Sequence, residues 1–359
     1  MSYPALSPTQ AVLTPEIASL PADLPTGHYA ELKRRVKEAG LLEPQPLYYS
    51  LKIAFTVSLA IPGIVVLLMT HNLALQLLDA LYLAFVFAQI SFIGHDVGHR
   101  QVLRPGPACT VLELIFGNLL VGVSSSWWMT KHNQHHSHPN RTDFDPDVML
   151  PVIAFSLRRA RGMNWAQRLM VRNQHVLYPF LTLLECVVLR VSSVQFLVMG
   201  RGRRWLLELA LMAFHLGLYA WLIFHQLGVN PGIAFVVVHQ MAFGFYMGSV
   251  FAPNHKGMLV IEDDRNFDFL LEQVLTSRNV SPSPIADFVY GGLNYQIEHH
   301  LFPSMARNQL GKAQVLVRQF CDERSIPYHQ TGVIRSYREI FSSLRSVGVS
   351  LVAERKAAA

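Results

Sequence analysis

Residues 72–99 read NLALQLLDALYLAFVFAQISFIGHDVGH, an apolar stretch ending in two histidines four positions apart. A helix that crosses the hydrocarbon core needs about 20 predominantly apolar residues, and Asn72 to Gly94 supplies them. Three more windows do the same: Lys52 to Thr70, Trp205 to Leu227 and Gly232 to Ala252. The four pair into two hairpins. Their links, His71 with Asn72 and Gly228 to Pro231, hold no lysine or arginine. Of the 30 basic residues, four precede the first window, Lys52 opens it, 13 lie between His95 and Arg204, and 12 follow Pro253. By the positive-inside rule both termini are then cytosolic.

Composition agrees. The 359 residues are 51% hydrophobic and 15% charged, against about 25% charged in ordinary soluble domains. The net charge of +6 is explained by the placement of basic residues beside apolar windows, so no nucleic-acid partner is expected. Cys109, Cys186 and Cys321 are too far apart for a thiolate metal site or a disulfide framework. No basic n-region opens the chain, so no cleavable signal peptide is expected and the first span directs insertion.

Two other apolar stretches, Ala108 to Val123 and His175 to Met199, are interrupted by Glu113 and by Pro179, Glu185 and Arg190. Either one, taken as a single additional span, would put one histidine cluster on the opposite side from the rest. They are read as re-entrant or interfacial helices.

Sixteen histidines are sorted by spacing. His95 and His99 are an i, i+4 pair; His132, His135 and His136 share a helix face at i, i+3 and i+4; His299 and His300 follow the fourth span. Positions three and four apart on a helix are neighbours, so their rings can reach one metal. Imidazole without thiolate suits iron, copper or zinc, and seven rings exceed the four ligands of one tetrahedral zinc, so two metals are the simpler reading. His28, His71, His175, His215, His225, His239 and His329 are read as ordinary polar or interfacial residues. His239 lies sixteen residues before His255, about 24 Å along a helix. His138, just past the second cluster, is read as a supporting or capping residue. Asp96, Asp143, Asp145 and Glu298 are candidate acceptors for the second ring nitrogen of ligating histidines, with a helix cap after Pro146 as the alternative for Asp143 and Asp145.

At these clusters the chain resembles the membrane fatty acyl desaturases, most closely the front-end type and its bacterial relatives. The matching strings are Gly94-His-Asp-Val-Gly-His99, Trp127-Trp-Met-Thr-Lys-His-Asn-Gln-His-His136 with Pro139-Asn140, and Gly291-Gly-Leu-Asn-Tyr-Gln-Ile-Glu-His-His-Leu-Phe-Pro303. The likeness runs from about residue 48 to residue 335. It implies an all-α integral membrane fold of four transmembrane helices, with interfacial or re-entrant helices and a cytosolic helical cap holding two iron ions. The expected division is an N-terminal segment 1–47, a membrane stem and histidine-box region 48–303, and a C-terminal segment 304–359. The resemblance adds His255, in Pro253-Asn-His-Lys256, as an eighth ring. Gln296, where many desaturases carry another histidine, is a weak or water-mediated ligand or an orienting group.

The implied activity is an oxygen-dependent desaturation that places a cis double bond in a long acyl chain of an acyl-CoA or a membrane acyl lipid. The expected site of action is a bacterial plasma membrane with the active site facing the cytosol. Dioxygen is the expected co-substrate. These 359 residues contain no His-Pro-Gly-Gly haem motif, Rossmann fingerprint or cysteine cluster, so a separate ferredoxin-like or cytochrome b5-like donor is expected to bring electrons. Trp127, Trp128 and Lys131 are candidate substrate contacts; the tryptophans fit an interfacial belt equally well. Arg141, Arg158, Arg159 and Arg161 suit an anionic head group or anionic lipid. A lipid hydroxylase with the same boxes is the nearest rival, and a bis-histidine haem carrier or a metal transporter is the rival of another class.

Overall fold

The computed structural model describes residues 27–262 and 267–357, predominantly as helix. The first 26 residues of the N-terminal segment lie outside the described residues. Among the described residues, extended structure is limited to two two-residue strands, Asn279–Val280 and Gln330–Thr331, paired in parallel, and an isolated bridge between Arg141 and Ile261.

Among the described residues, four helices are long and apolar enough to cross a membrane: Pro46–Met69, Leu73–Gly98, Trp205–Leu227 and Val229–His255. The two hairpins follow the sequence windows: Trp205–Leu227 coincides with its window, and the other three helices run past theirs at one or both ends. Leu73–Gly98 continues without a break through the first histidine pair, with His99 as its C-cap. Val229–His255 starts inside what reads as a link, because Pro231 falls in its first turn, where the missing N–H has no partner to lose, and it ends on His255. The stretch His175 to Met199 forms two helices, Gln174–Thr182 and Glu185–Val198, bent by 71°. Neither half reaches spanning length. Ala108 to Val123 forms Pro107–Glu113 and a π-helical Leu114–Leu119.

The chain divides into two compact units. The first to describe comprises 44–131 and 179–249. Its span surfaces are apolar and uncovered: Leu78 is 63% exposed and Trp221 61%, a pattern suited to lipid and costly in water. Inside it, Leu67, Ala80, Leu83, Ile223 and Phe235 form a buried cluster joining the two hairpins. The first hairpin is helped by local polar ties. The Asn72 side chain accepts from Leu75 N, and Gln76 Nε2 donates to the carbonyls of Val66, Leu67 and Thr70 at the end of the preceding helix. Lipid offers no partner for such carbonyls, so a side chain must.

In the same unit the start of helix Ser125–Ser137, whose far end carries the second histidine box, is anchored by a carboxylate from another element. Glu208 accepts from Ser124 Oγ at 2.6 Å, Ser126 N at 3.2 Å and Asn118 Nδ2 at 3.2 Å, and from Ser126 Oγ. An anion there satisfies orphan N–H groups and opposes the helix dipole favourably.

The second unit comprises 1–43, 132–178 and 250–359. Leu32, Val36, Leu270, Leu271, Val274, Ile297, Leu301, Val317 and Phe320 pack into its main core, drawn from helices His28–Glu38, Phe269–Thr276, Gln296–Leu301 and Leu310–Glu323. Phe269–Thr276 is short and buried from Leu270 onward. It therefore delivers polar side chains as well as leucines to the interior. A smaller cluster of Ala154, Ala160, Met163, Val171 and Val347 seats the C-terminal helix Val333–Ala357.

Candidate metal centre

Six of the eight histidines singled out from the sequence come together inside the second unit. His132, His135 and His136 stand on Ser125–Ser137, His255 ends Val229–His255, and His299 and His300 lie on Gln296–Leu301. The rings interleave. His136 stacks on His300 with centroids 4.1 Å apart, His255 meets His300 at 4.5 Å and His135 at 4.6 Å, and His136 meets His299 at 4.9 Å. His132 Nε2 is 3.1 Å from His136 Nε2.

Hydrogen bonds at the outer nitrogens decide what the inner ones can do. His135 Nδ1 is 2.9 Å from Asp145 Oδ2, and His255 Nδ1 is 3.0 Å from the Thr276 carbonyl. His300 Nδ1 is 2.7 Å from Gln273 Oε1, whose amide is oriented by Nε2 donating to the His136 carbonyl at 3.1 Å. Each of those three partners accepts, so each Nδ1 carries the proton and each Nε2 presents a lone pair. One nitrogen from each of His135, His255 and His300 lies within 4.8 Å of the others, and His135 Nε2 faces His255 Nε2 at 3.3 Å.

Three lone pairs converging in a buried site repel unless a cation lies among them. Imidazole binds a divalent transition metal at about 2.1 Å, which sets neighbouring ligand nitrogens roughly 3 Å apart at a right angle. The donor set therefore fits a metal, and an all-nitrogen set fits iron, copper or zinc better than calcium or magnesium. Gln296 Nε2 lies 2.9 Å from His255 Nε2. Amide flips exchange its nitrogen and oxygen without moving the side chain, so Gln296 can donate to His255 or turn its oxygen inward.

The other two histidines belong to the membrane-crossing unit. His95 and His99 stand with centroids 4.6 Å apart, and the Trp128 indole packs edge-on at 5.4 Å from His95 and 6.0 Å from His99. Gly98 permits this: a Cβ there would fall 2.6 Å from Trp128 Cζ3 and 2.8 Å from Met129 Sδ. Trp128 comes one helical turn before His132 on Ser125–Ser137. Asp96 Oδ1 is 3.4 Å from His95 Nδ1. Lys131 lies 5.9 Å from the Trp127 ring.

Among the expected supporting carboxylates, Asp145 takes the role and two others do not. Asp143 is exposed and faces Arg158 at 3.7 Å. Glu298 accepts from Asn279 Nδ2 at 2.7 Å and Tyr328 OH at 2.8 Å instead of from a histidine ring. Burial pushes its carboxyl up to about 7, against those two hydrogen bonds, which lower it. Its neighbours explain the correction: on a helix of 3.6 residues per turn, Glu298 is rotated about 100° from His299 and points to the packed side. The helix-cap alternative after Pro146 also fails, since the next helix starts at Leu157. Asp145 Oδ1 instead accepts from Asp147 N at 2.9 Å, closing a turn.

Sequence reasoning missed Gln273 and the Thr276 carbonyl. It also missed Glu272, which sits 3.4 Å from His138 and 3.1 Å from Arg141. The available signal was FLLEQVLT (269–276), a short apolar run carrying two adjacent polar residues. The in-span histidines follow their ordinary reading: His215 Nδ1 meets the Leu119 carbonyl at 2.9 Å, and His239 Nδ1 meets Tyr219 OH at 3.0 Å.

A sequence model of the family described as "Fatty acid desaturase" matches residues 72–332. The chain is 30% identical over 320 residues to a Delta(6)-fatty-acid desaturase of Caenorhabditis elegans, covering 84% of this chain and 70% of that one. It is 26% identical over 343 residues to an acyl-lipid (9-3)-desaturase of Physcomitrium patens, covering 89% and 62%. A Delta(8)-fatty-acid desaturase of Euglena gracilis is 27% identical over 321 residues, covering 84% and 74%.

Proposed function

The chain belongs to the fatty acid desaturase family, and from that premise we propose that it is an oxygen-dependent desaturase. In this reading it introduces a cis double bond into the carboxyl-proximal half of a long acyl chain, presented as acyl-CoA or as a membrane acyl lipid. Two irons are its cofactors, with His95, His99, His132, His135, His136, His255, His299 and His300 as their ligands. The observation that carries the reading is the convergence of the His135, His255 and His300 Nε2 lone pairs, each fixed by an acceptor at Nδ1.

With dioxygen and two electrons, irons held there would supply the oxidising power for removing two adjacent hydrogens from an unactivated chain, which acid or base side chains cannot do. The protein's part is to aim and hold. Asp145, the Thr276 carbonyl and Gln273 keep the Nδ1 protons of His135, His255 and His300 in place, so the tautomers do not change as substrate enters. Gln296 supplies a weak or water-mediated ligand, or orients His255. Asp96 supports His95. Trp127, Trp128 and Lys131 are proposed to line the path of the acyl chain and its head group, with Trp128 shielding the first box from water.

Electrons are proposed to come from a separate ferredoxin-like or cytochrome b5-like protein. The clustering of lysine and arginine in the segments that carry the histidine clusters supports a cytosolic active site, and a bacterial plasma membrane is proposed as its location. Front-end placement draws support from the Gln296-x-x-His-His string and from relatives whose names specify positions near the carboxyl end.

The test is expression in a host of defined lipid profile, with acyl chains of several lengths supplied and the new bond mapped. Loss of two hydrogens at a constant distance from the carboxyl end is the expected result. Gain of one oxygen would identify a hydroxylase, and a constant distance from the methyl end would refute front-end placement.

A further inference from the structure

Helix Val229–His255 ends on His255, and its last carbonyls need partners that lie outside the helix. Lys256 N serves Ala252 O at 3.0 Å. Asn140 Nδ2 serves His255 O at 2.9 Å. The rest is done by one residue. Arg278 Nε donates to Pro253 O at 2.7 Å, Arg278 N to Asn254 O at 2.8 Å, and Arg278 Nη2 to Lys256 O at 2.9 Å. Thr276, two residues earlier, supplies the carbonyl that holds His255 Nδ1. The segment Thr276 to Arg278 thus holds the His255 ring and the carbonyls of the residues on either side of it.

Arg278 is fully buried, and a buried guanidinium needs a counter-charge. That counter-charge is Glu339, whose Oε2 lies 2.6 Å from Arg278 Nη1 and whose side chain is also reached by His329 Nε2 at 3.0 Å and Arg335 Nε at 3.2 Å. Gly257, at φ 87°, lets the chain turn beneath this contact: a Cβ there would sit 3.2 Å from the Glu339 carbonyl. Glu339 stands on Val333–Ala357, beyond the 72–332 that matches the family.

We propose that Arg278 and Glu339 form a brace that positions His255, making the C-terminal helix part of the support of the metal centre. The inference rests on the reading that His255 holds iron. Arg278 and Glu339 are positioning residues: they act through the carbonyls on either side of His255 and touch no metal. Lysine at 278 would keep the charge opposite Glu339, but a single ammonium on a flexible stem cannot reproduce the planar fork that serves Glu339, Pro253 and Lys256 together.

The test uses the full chain in lipid nanodiscs, comparing the parent with Arg278→Lys, Glu339→Gln and the double replacement Arg278→Met with Glu339→Leu. Iron per chain, its release to a chelator and the thermal midpoint are measured on each. Replacing both members of a buried ion pair by apolar groups is often neutral for stability, so the double variant separates positioning from folding. The expected result is selective loss: the parent holds two irons, and each variant, assayed well below its own midpoint, releases one of them about tenfold faster, with the midpoint lowered most in Glu339→Gln, which leaves the guanidinium without its counter-charge. Arg335→Ala, at the exposed edge, should match the parent. Two irons with parental release in Arg278→Lys and the double variant would overturn the brace. Loss of both irons in step with unfolding would do the same. If the double variant is not recovered folded, the release rate in Glu339→Gln decides. A parent that binds no iron would sink the metal reading itself, an outcome distinct from a failed brace.

Discussion

Asp145→Asn separates a metal-supporting carboxylate from one that only closes a turn. Asp145 is completely buried and accepts three hydrogen bonds: His135 Nδ1 at 2.9 Å and Asn140 N at 2.8 Å on Oδ2, and Asp147 N at 2.9 Å on Oδ1. Asparagine keeps one acceptor oxygen. If that oxygen stays on His135 and Asn140, its amide NH2 confronts the Asp147 N–H; if it turns to Asp147, it presents NH2 to the His135 Nδ1 proton. In either orientation the charge-assisted bond to His135 is lost or made neutral. Hydrogen bonds to charged groups contribute about 1.5–3 kcal/mol, which at 1.36 kcal/mol per factor of ten corresponds to about 10- to 100-fold weaker iron binding, the usual range for losing a ligand's outer partner. Asp147, 3.6 Å from the same nitrogen, should return part of that loss, so Asp145→Asn with Asp147→Asn should bind more weakly still.

The assay is competition for iron against a chelator of known affinity on purified protein, with thermal melting run in parallel. Turnover should fall at limiting iron and recover in part when iron is in excess. A variant with a lower thermal midpoint but parental iron affinity would refute the reasoning and leave Asp145 with a turn-closing role only.

Three other outcomes are expected. His135→Ala and His300→Ala should abolish the unsaturated product while the protein remains inserted, whereas His71→Ala should keep activity; gas chromatography of total acyl chains reads both. Gly98→Ala drives a Cβ to within 2.6 Å of Trp128, and overpacking of this kind costs about 1–3 kcal/mol, so the thermal midpoint should fall; an unchanged midpoint would show that the indole is free to move. Purified protein given acyl substrate and oxygen should turn over only when a reduced donor protein is added, and turnover with NAD(P)H alone, in a sample free of reductase, would contradict the separate-donor reading.

The membrane architecture was legible because its signal is additive and local. Twenty apolar residues in a row need no knowledge of the rest of the chain: the window at 205–227 coincides with its helix, and all of the window at 72–94 but the N-cap Asn72 lies within its own. What periodicity could not give was the ends. Nothing in a hydropathy pattern says that Leu73–Gly98 carries its helix on through His95, or that Val229–His255 begins before Pro231. Those extensions matter chemically, since they place the candidate ligand residues on the last turns of rigid rods and not in loops.

The site shows the same division between local and distant information. The spacing of His132, His135 and His136 is a property of one helix, and rings spaced in that way meet wherever the helix goes. The groups that set their tautomers are another matter: Gln273 reaches the His136 backbone from 137 residues away, and the Thr276 carbonyl has no side chain to advertise it. Glu298 shows the converse error. Standing next to His299 in sequence made it look like a partner, yet adjacency on a helix turns two side chains apart, and its carboxylate is spent on Asn279 and Tyr328. Asp143 and Asp145 read alike in the sequence, and the structure separates them: Asp143 adopts φ 71°, the left-handed conformation of a turn, and its side chain faces Arg158, whereas Asp145 meets His135. Rings at helical spacing can therefore be grouped from the sequence, whereas the groups that fix which nitrogen of each ring carries the proton require the folded chain.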